Sequence, residues 1–277
     1  MKRLFIAADI EGCAAVSSQH ELSAAGWGWQ KAREWMTQEV SAACRVALDQ
    51  GFDEVIVADG HGNAQNILPD ELPANVRLIR SWPRPLLQMQ GVDQPGVQGC
   101  FFIGNHAGAQ QIGLLAHTYH GGAIRDLRLN GTSASEGYFN AALAADLGRP
   151  IWLVTGDEAA VADAQRYAPN AVHCAVKQAS GWRSQGSMMP QQVYAQIAAA
   201  AKEALEHRAE LHEFVIERPI VVEIEFTTQL AAEMMDYLPI CERTGPYTVK
   251  TICETMIDAM KFVSFSILYS PTGTISL

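Results

Sequence analysis

Four short apolar runs, each leading directly into a turn that carries acids, histidines or glycines, constrain this chain more than any other feature. Leu4-Phe5-Ile6-Ala7-Ala8 runs into Asp9-Ile10-Glu11-Gly12, and Glu54-Val55-Ile56-Val57-Ala58 into Asp59-Gly60-His61-Gly62-Asn63. Val97 to Ile103 runs into Gly104-Asn105-His106-Ala107-Gly108, and Ile151 to Val154 into Thr155-Gly156-Asp157. Runs of this length read as strands, and near-continuous apolar strands are those buried on both faces of a parallel sheet. Val76–Ile79 is a further strand. Between them lie helical patterns. Lys31–Gln50 is amphipathic, with Trp35, Val40, Ala43 and Val46 near one face and Gly51 as its stop; Ser135–Leu147 is helical, and another helix starts near Glu158. The rhythm predicts an α/β fold: a mostly parallel sheet with helices on both faces.

The pattern changes near residue 180. Gly181–Pro190 is polar and rich in glycine, methionine and serine, and reads as a loop. Gln191–Ala209 reads as an Ala-rich helix, Ile220–Phe226 as a strand with one polar face, Tyr247–Ile252 as a strand and Glu254–Leu268 as a closing helix. Earlier, Ile124–Leu129 alternates like a half-exposed strand before an Asn130-Gly131 turn. The expected organisation is an α/β domain over 1–180 and a smaller C-terminal α+β subdomain over 181–277 packed on it. The 277 residues suffice for one large domain or two intimate ones.

Charge and composition exclude several function classes. Lysine plus arginine number 20 against 30 aspartates and glutamates, a net charge of −10, the wrong sign for a non-specific nucleic-acid binder. No apolar stretch is long enough for a membrane helix, and the run after Met1-Lys2-Arg3 is too short for a signal peptide. The six cysteines are scattered without a CxxC pair, which reads as reduced thiols in a cytoplasmic protein. Hydrophobic residues at 48% with only 18% charged suggest apolar surface buried between subunits, hence a homo-oligomer.

The strand ends carry the chemistry. Asp9 and Glu11 stand at i and i+2, so an extended chain aims both at one face. Each has an ordinary reading as a cap or surface acid, but ligand crevices of open α/β sheets lie at the carboxyl ends of the strands. His61 and His106 each sit just past a strand in a glycine-rich turn. Two carboxylates and two histidines on one rim are metal-ligand types. Glu136, near a helix start, is either a fifth ligand or an acid complementing the helix dipole. His117, in Leu115-Ala116-His117-Thr118, reads as catalytic or as a plain core or surface histidine. Asn63 and Asn105 are candidate donors to an oxyanion or ordinary turn residues. Asp59 reads as a turn or supporting residue. Lys177 reads either as a partner for a substrate carboxylate or as a solvated lysine. Cys13 lies near the site in sequence, but no spacing marks it as a nucleophile.

These residues carry a resemblance. The D-I-E-G strand end, the D-G-H turn, G-N-H-A, A-H-T and S-E-G-Y-F-N resemble the M55 family of metallo-aminopeptidases, the D-aminopeptidases of the dipeptide-transport type. The likeness extends to Val154-Thr155-Gly156-Asp157, Ala175-Val176-Lys177-Gln178 and Arg243-Thr244-Gly245. It implies an α/β subunit, a ring-like homo-oligomer and two zinc ions per subunit. Asp9 falls on the bridging position, Glu11, His61, His106 and Glu136 on the remaining ligand positions, and His117 on the catalytic histidine. The implied activity is a two-metal aminopeptidase on short peptides or amino-acid amides, D-amino-acid-containing ones among them. Cys13-Ala14-Ala15-Val16 departs from the usual small-residue run, Trp27, Trp29 and Trp182 are placed to reshape the pocket, and the segment after Lys177 differs in length by about a residue. Rival readings are a two-metal amidase on another small amide, a phosphoesterase, for which basic rim residues are too few, and a non-enzymatic peptide- or metal-binding assembly protein.

Overall fold

The structure is a computed structural model that describes residues 1–208 and 214–269. Ala209, the last residue of the expected helix, and residues 270–277 of the expected subdomain lie outside the described residues. The chain opens with strand β1 (Arg3–Ala8), a short helix α1 (Gln19–Leu22), the long helix α2 (Trp29–Asp49) and strands β2 (Glu54–Asp59), β3 (Val76–Ile79) and β4 (Val97–Asn105). A hairpin follows, β5 (Ile124–Leu129) and β6 (Thr132–Ser133), then α3 (Glu136–Asp146), β7 (Ile151–Asp157), α4 (Glu158–Ala164), β8 (Val172–Gly181) and β9 (Ser184–Ser187). The last part holds α5 (Pro190–Glu206), β10 (Ile220–Phe226), α6 (Gln229–Asp236), β11 (Cys241–Arg243), β12 (Thr248–Cys253) and α7 (Met256–Leu268).

Seven strands form the main sheet in the order β3-β2-β1-β4-β7-β8-β9. All its pairings are parallel except β8 with β9. β1 is buried on both faces, as its unbroken apolar sequence requires. Leu4, Ile6 and Ala8 pack into a core shared with Met36 and Val40 of α2 and Val193 and Ile197 of α5. Phe5 and Ala7 point the other way, into a core shared with Phe139 and Leu143 of α3 and Met260 and Val263 of α7. The period-2 alternation of the strand thus feeds two cores, one per face.

The strand order sets the site. The chain winds outward from β1 through β2 to β3, then returns to β4 on the opposite side of β1. Loops after β1 and β4 therefore leave in opposite directions, and the gap between them at the carboxyl edge is where open α/β sheets hold ligands. The second sheet has the order β11-β12-β10-β5-β6 and is antiparallel. Ile220, Val222, Ile224 and Phe226 of β10 are buried while the residues between them are half-exposed, which matches the one-sided pattern of the sequence.

Gly181–Pro190 differs from its reading as a loop, because it contains β9, paired antiparallel with β8. The segment Ser184-Gln185-Gly186-Ser187 lacks the branched and aromatic residues that favour strands. Pairing to the edge of an existing sheet overrides that local preference.

Two substitutions test the core assignment. Phe5→Ala removes a ring with no solvent exposure from the centre of the main sheet, and the expected loss in urea unfolding is roughly 3–5 kcal/mol. Lys202→Ala removes one partner of an exposed i,i+4 pair with Glu206, and it should stay within about 0.5 kcal/mol of the parent.

Candidate metal centre

Three neighbouring strand ends and one helix start converge at the carboxyl edge of the main sheet. Asp9 directly follows β1, and its N–H donates to the carbonyl of Ile103 at 2.9 Å. Gly12 N–H donates to the Gly104 carbonyl at 2.8 Å, so the turns after β1 and β4 are joined backbone to backbone. A Cβ at position 12 would run into the backbone of Gly104 and Asn105, and Gly104 has φ +76. Glycine is needed at both places for this approach. Gly12 lies one residue past Glu11, so the tight turn fixes where that acid points.

His61 stands two residues beyond β2. Its loop is anchored by Asp59, which is fully buried. Asp59 accepts from the Asn66 N–H at 2.6 Å, the Ile67 N–H at 2.8 Å and the Asn66 side-chain amide at 2.9 Å. Asn66 Nδ2 also donates to the His61 carbonyl at 2.7 Å. This is the supporting role expected of Asp59. His106 directly follows β4. Glu136 is the first residue of α3, where Ser135 caps the helix by accepting from the Tyr138 N–H at 3.0 Å. His117 lies in the long connection from β4 to β5.

The structure brings all six predicted side chains together. Donor atoms of Asp9, Glu11 and His61 lie within 4.8 Å of one another, and so do those of His106, His117 and Glu136. Asp9 spans the two groups: Oδ1 is 3.4 Å from His61 Nδ1 and Oδ2 is 3.6 Å from His106 Nε2. Glu11 Oε2 is 2.8 Å from His61 Nδ1, and Glu136 Oε1 is 3.1 Å from His106 Nε2. His117 Nε2 stands farther off, 3.8 Å from Glu11 Oε1 and 4.0 Å from Glu136 Oε1. The His117 ring is stacked parallel on that of His106, with centroids 4.3 Å apart.

Each imidazole also has a backbone carbonyl on its other side. His61 Nε2 is 2.6 Å from the Leu22 carbonyl, His106 Nδ1 2.9 Å from that of Ala107, and His117 Nδ1 2.9 Å from that of Leu115. A carbonyl only accepts, so those nitrogens carry the protons. In the neutral ring the other nitrogen is bare and faces the carboxylates. Metal-binding histidines have this arrangement, with one ring N–H held by a carbonyl so that the other nitrogen is aimed.

Bare nitrogens facing carboxylates repel unless a cation lies between them. Glu11 Oε2 is buried with no hydrogen-bond partner, although His61 Nδ1 is near it. Among the described residues, no lysine or arginine forms an ion pair with Asp9, Glu11 or Glu136; their ion pairs are with histidines. Burial, and then the charge of Glu11, push Asp9 up to about 7. Burial works against charge on His106 too, but Glu136, Glu11 and Asp9 outweigh it and lift its imidazole to about 10. Against the same burial, Glu11 and Asp9 hold His61 well above its ordinary value. Burial and then His106 hold His117 below its own. The acids thus favour the charged form of His61 and His106, burial favours the neutral form of Asp9, and His117 is the imidazole least disposed to take a proton. Carboxylates and imidazoles are ligands for divalent transition metals, and the residues present fit two such ions.

Other residues fall as follows. Asn63 Oδ1 accepts from the Gln65 N–H at 3.0 Å, a turn contact. The Asn105 amide lies against Gly137 and bonds Tyr167. Cys13 is buried, its thiol pushed up by burial and then by Glu39, and it donates to the Asp9 carbonyl at 3.2 Å, which is no setting for a nucleophile. Trp29 is buried, with Nε1 on Asn66 Oδ1 at 3.0 Å, while Trp27 is exposed. Trp182 is half-exposed and its carbonyl accepts from Leu115 N–H at 2.9 Å, two residues before His117. Lys177 neither faces a substrate nor is solvated, since it is buried against main-chain carbonyls. Sequence reasoning missed Gln88 and Tyr119. Gln88 Nε2 donates to Glu136 Oε2 at 2.8 Å, and the Tyr119 N–H to Glu136 Oε1 at 2.7 Å. No local pattern marks Gln88, while Tyr119 stands two residues from His117 in the polar stretch Thr118-Tyr119-His120.

Comparison with known proteins gives the same picture. The model of the M55 peptidase family, described as D-aminopeptidase, matches residues 1–265. The D-aminopeptidase of Bacillus subtilis (strain 168) is 26% identical over 258 residues, 93% of each chain. A solved structure of the zinc-dependent D-aminopeptidase DppA from Bacillus subtilis, described as a self-compartmentalizing protease, superposes with a TM-score of 0.90 at 25% identity, covering 95% of this chain and 96% of that one. With a family model matched over nearly its whole length and the same α/β fold, the chain belongs to the M55 family of D-aminopeptidases.

Proposed function

We propose that this protein is a zinc-dependent aminopeptidase that hydrolyses short peptides or amino-acid amides, D-amino-acid-containing ones included. The observation that carries this reading is the set of three carbonyl-anchored imidazoles turned toward three buried carboxylates. Asp9, Glu11 and His61 would hold one zinc ion, and His106 and Glu136 together with Asp9 would hold a second. The two oxygens of Asp9 already face opposite histidines. Bound zinc supplies Lewis acidity toward the scissile carbonyl and an anchor for the free α-amine.

His117 is the catalytic histidine in this reading. Its side chain is 25% exposed, against 9% for His61 and 2% for His106, so it is the imidazole that a substrate reaches. Leu115 holds its Nδ1 proton, which leaves Nε2 to take a proton and return it to the departing amine. Gln88 and Tyr119 occupy both oxygens of Glu136 from behind and fix its direction. A cavity of about 50 Å³ beside Glu136, walled by Trp82, Leu87 and Leu268, offers apolar surface to a substrate side chain.

The protein works as a ring-like homo-oligomer in the cytoplasm. Leu230 and Met234 of α6, Tyr237 just after it, and Ile240 and Ile252 nearby are 54–68% exposed, a run of apolar side chains suited to a subunit contact. All six cysteines are free, as a reducing compartment requires. No helix among the described residues is long and apolar enough to cross a membrane.

Three outcomes follow. Dialysis against a chelator should abolish hydrolysis of D- and L-alanyl dipeptides and amides, and Zn²⁺ should restore it; full activity of metal-free protein contradicts the proposal. His117→Ala should keep its fold and both zinc ions yet lose roughly 10²-fold or more in kcat, whereas His61→Ala and His106→Ala should lower zinc content. If His117→Ala instead loses zinc and regains activity when zinc is added, His117 is a ligand. Light scattering should show assemblies well above the 30.2 kDa chain; a monomer at micromolar concentration would overturn the assembly.

A further inference from the structure

The loop from Asp9 to Val16 carries two of the acids and has almost no regular structure. Its polar backbone groups are nonetheless buried and must find partners. Lys177 of β8, only 4% exposed, reaches across from 161 to 166 residues away. Its Nζ donates to the carbonyls of Glu11, of Cys13 at 2.8 Å and of Val16 at 2.7 Å. An ammonium has three N–H donors, and all three are spent on this one loop. Among the described residues no carboxylate forms an ion pair with it; Asp157, Glu39 and Glu11 act on it only at longer range.

Other side chains hold the N–H groups of the same loop. Glu39 Oε1 of α2 accepts from the Ala14 N–H at 2.8 Å, and Ser187 Oγ of β9 accepts from the Ala15 N–H at 2.8 Å. Ala15 is kept at φ +64, a conformation that non-glycine residues seldom adopt without such support. The cation thus gathers the carbonyls while Glu39 and Ser187 gather the amides. One of the gathered carbonyls belongs to Glu11, whose carboxylate is 2.8 Å from His61.

We propose that Lys177, assisted by Ser187, is a positioning residue for the metal centre. It fixes the backbone of the 11–16 loop so that Glu11 and Asp9 meet the ion held with His61. It touches neither substrate nor metal and acts through the Glu11 carbonyl. The proposal rests on the reading that Asp9, Glu11 and His61 hold zinc.

The test measures Zn²⁺ affinity by competition with a chromophoric chelator, and the visible absorption of the Co²⁺-loaded protein, in full-length parent, Lys177→Met and Ser187→Ala. Lys177→Met should weaken the Zn²⁺ site that includes Glu11 by about 10- to 100-fold, the range for residues that orient ligands, and alter the Co²⁺ bands, with a smaller loss at the second site, which shares Asp9. Ser187→Ala should move both readouts in the same direction by less. If Lys177→Met folds, lowers thermal stability with and without Zn²⁺ equally, and keeps parental affinity and Co²⁺ bands, the residue is only structural and the proposal is overturned. If Lys177→Met does not fold, Ser187→Ala decides: a shift in affinity and bands supports the positioning role, and parental values overturn it. A parent that binds no Zn²⁺ at all would overturn the metal reading itself, a result distinct from parental binding in the variants.

Discussion

Three carboxylates share one buried rim, and the rest of the site follows from that constraint. Asp9, Glu11 and Glu136 lie where water cannot screen them and where no lysine or arginine among the described residues forms an ion pair with them. Coulomb repulsion at such separations is strong in a low-dielectric setting. Burial and the neighbouring acid push Asp9 up to about 7 in the metal-free protein. In the proposed function divalent cations would resolve the conflict, and the imidazoles are already turned toward the carboxylates. Leu22, Ala107 and Leu115 each spend a carbonyl on setting that orientation. The price of assembling so much negative charge is met by the fold rather than by local sequence.

The fold does this through strand order. β1 sits centrally, with β2 and β4 on either side, so the residues that follow these three strands emerge side by side. Gly12 and Gly104 let the turns after β1 and β4 touch. The connection between β4 and β7 leaves the main sheet to form β5 and β6, contributes His117 on the way out and returns through Glu136 at the start of α3. The long excursion thus brings His117 and Glu136 to the site, while β10 extends the hairpin's sheet by pairing with β5.

Much of this was legible in the sequence, for physical reasons. β1, β2, β4 and β7 announce themselves because strands buried on both faces need unbroken apolar residues. Of the candidate site, Asp9, Glu11, His61 and His106 were legible because they sit at strand ends, where acids at i and i+2 and histidines among glycines have little structural use; Glu136 and His117 stand elsewhere and gained weight only from the family resemblance. Long-range pairing was not legible. Gly181–Pro190 hides β9 because its residues have no strand preference of their own. Nothing in the pattern of Ile124–Leu129 says that it joins β10 about a hundred residues later. Lys177 looked like a surface or substrate-facing cation because a lysine's partners are invisible in sequence; three carbonyls on a distant loop claim it instead. Gln88 was missed for the same reason, as an amide becomes informative only when Glu136 is seen beside it.

In the proposed function Asp9 stands between two metal ions, each completed by its own histidine and glutamate. Anomalous diffraction from zinc-soaked crystals, collected on both sides of the zinc absorption edge, tests it most directly. Two peaks per subunit are expected about 3.5–4 Å apart, the spacing of paired catalytic metals, one beside Glu11 and His61 and the other beside His106 and Glu136, with the Asp9 carboxylate between them. A single peak, or two peaks that Asp9 does not bridge, would contradict it.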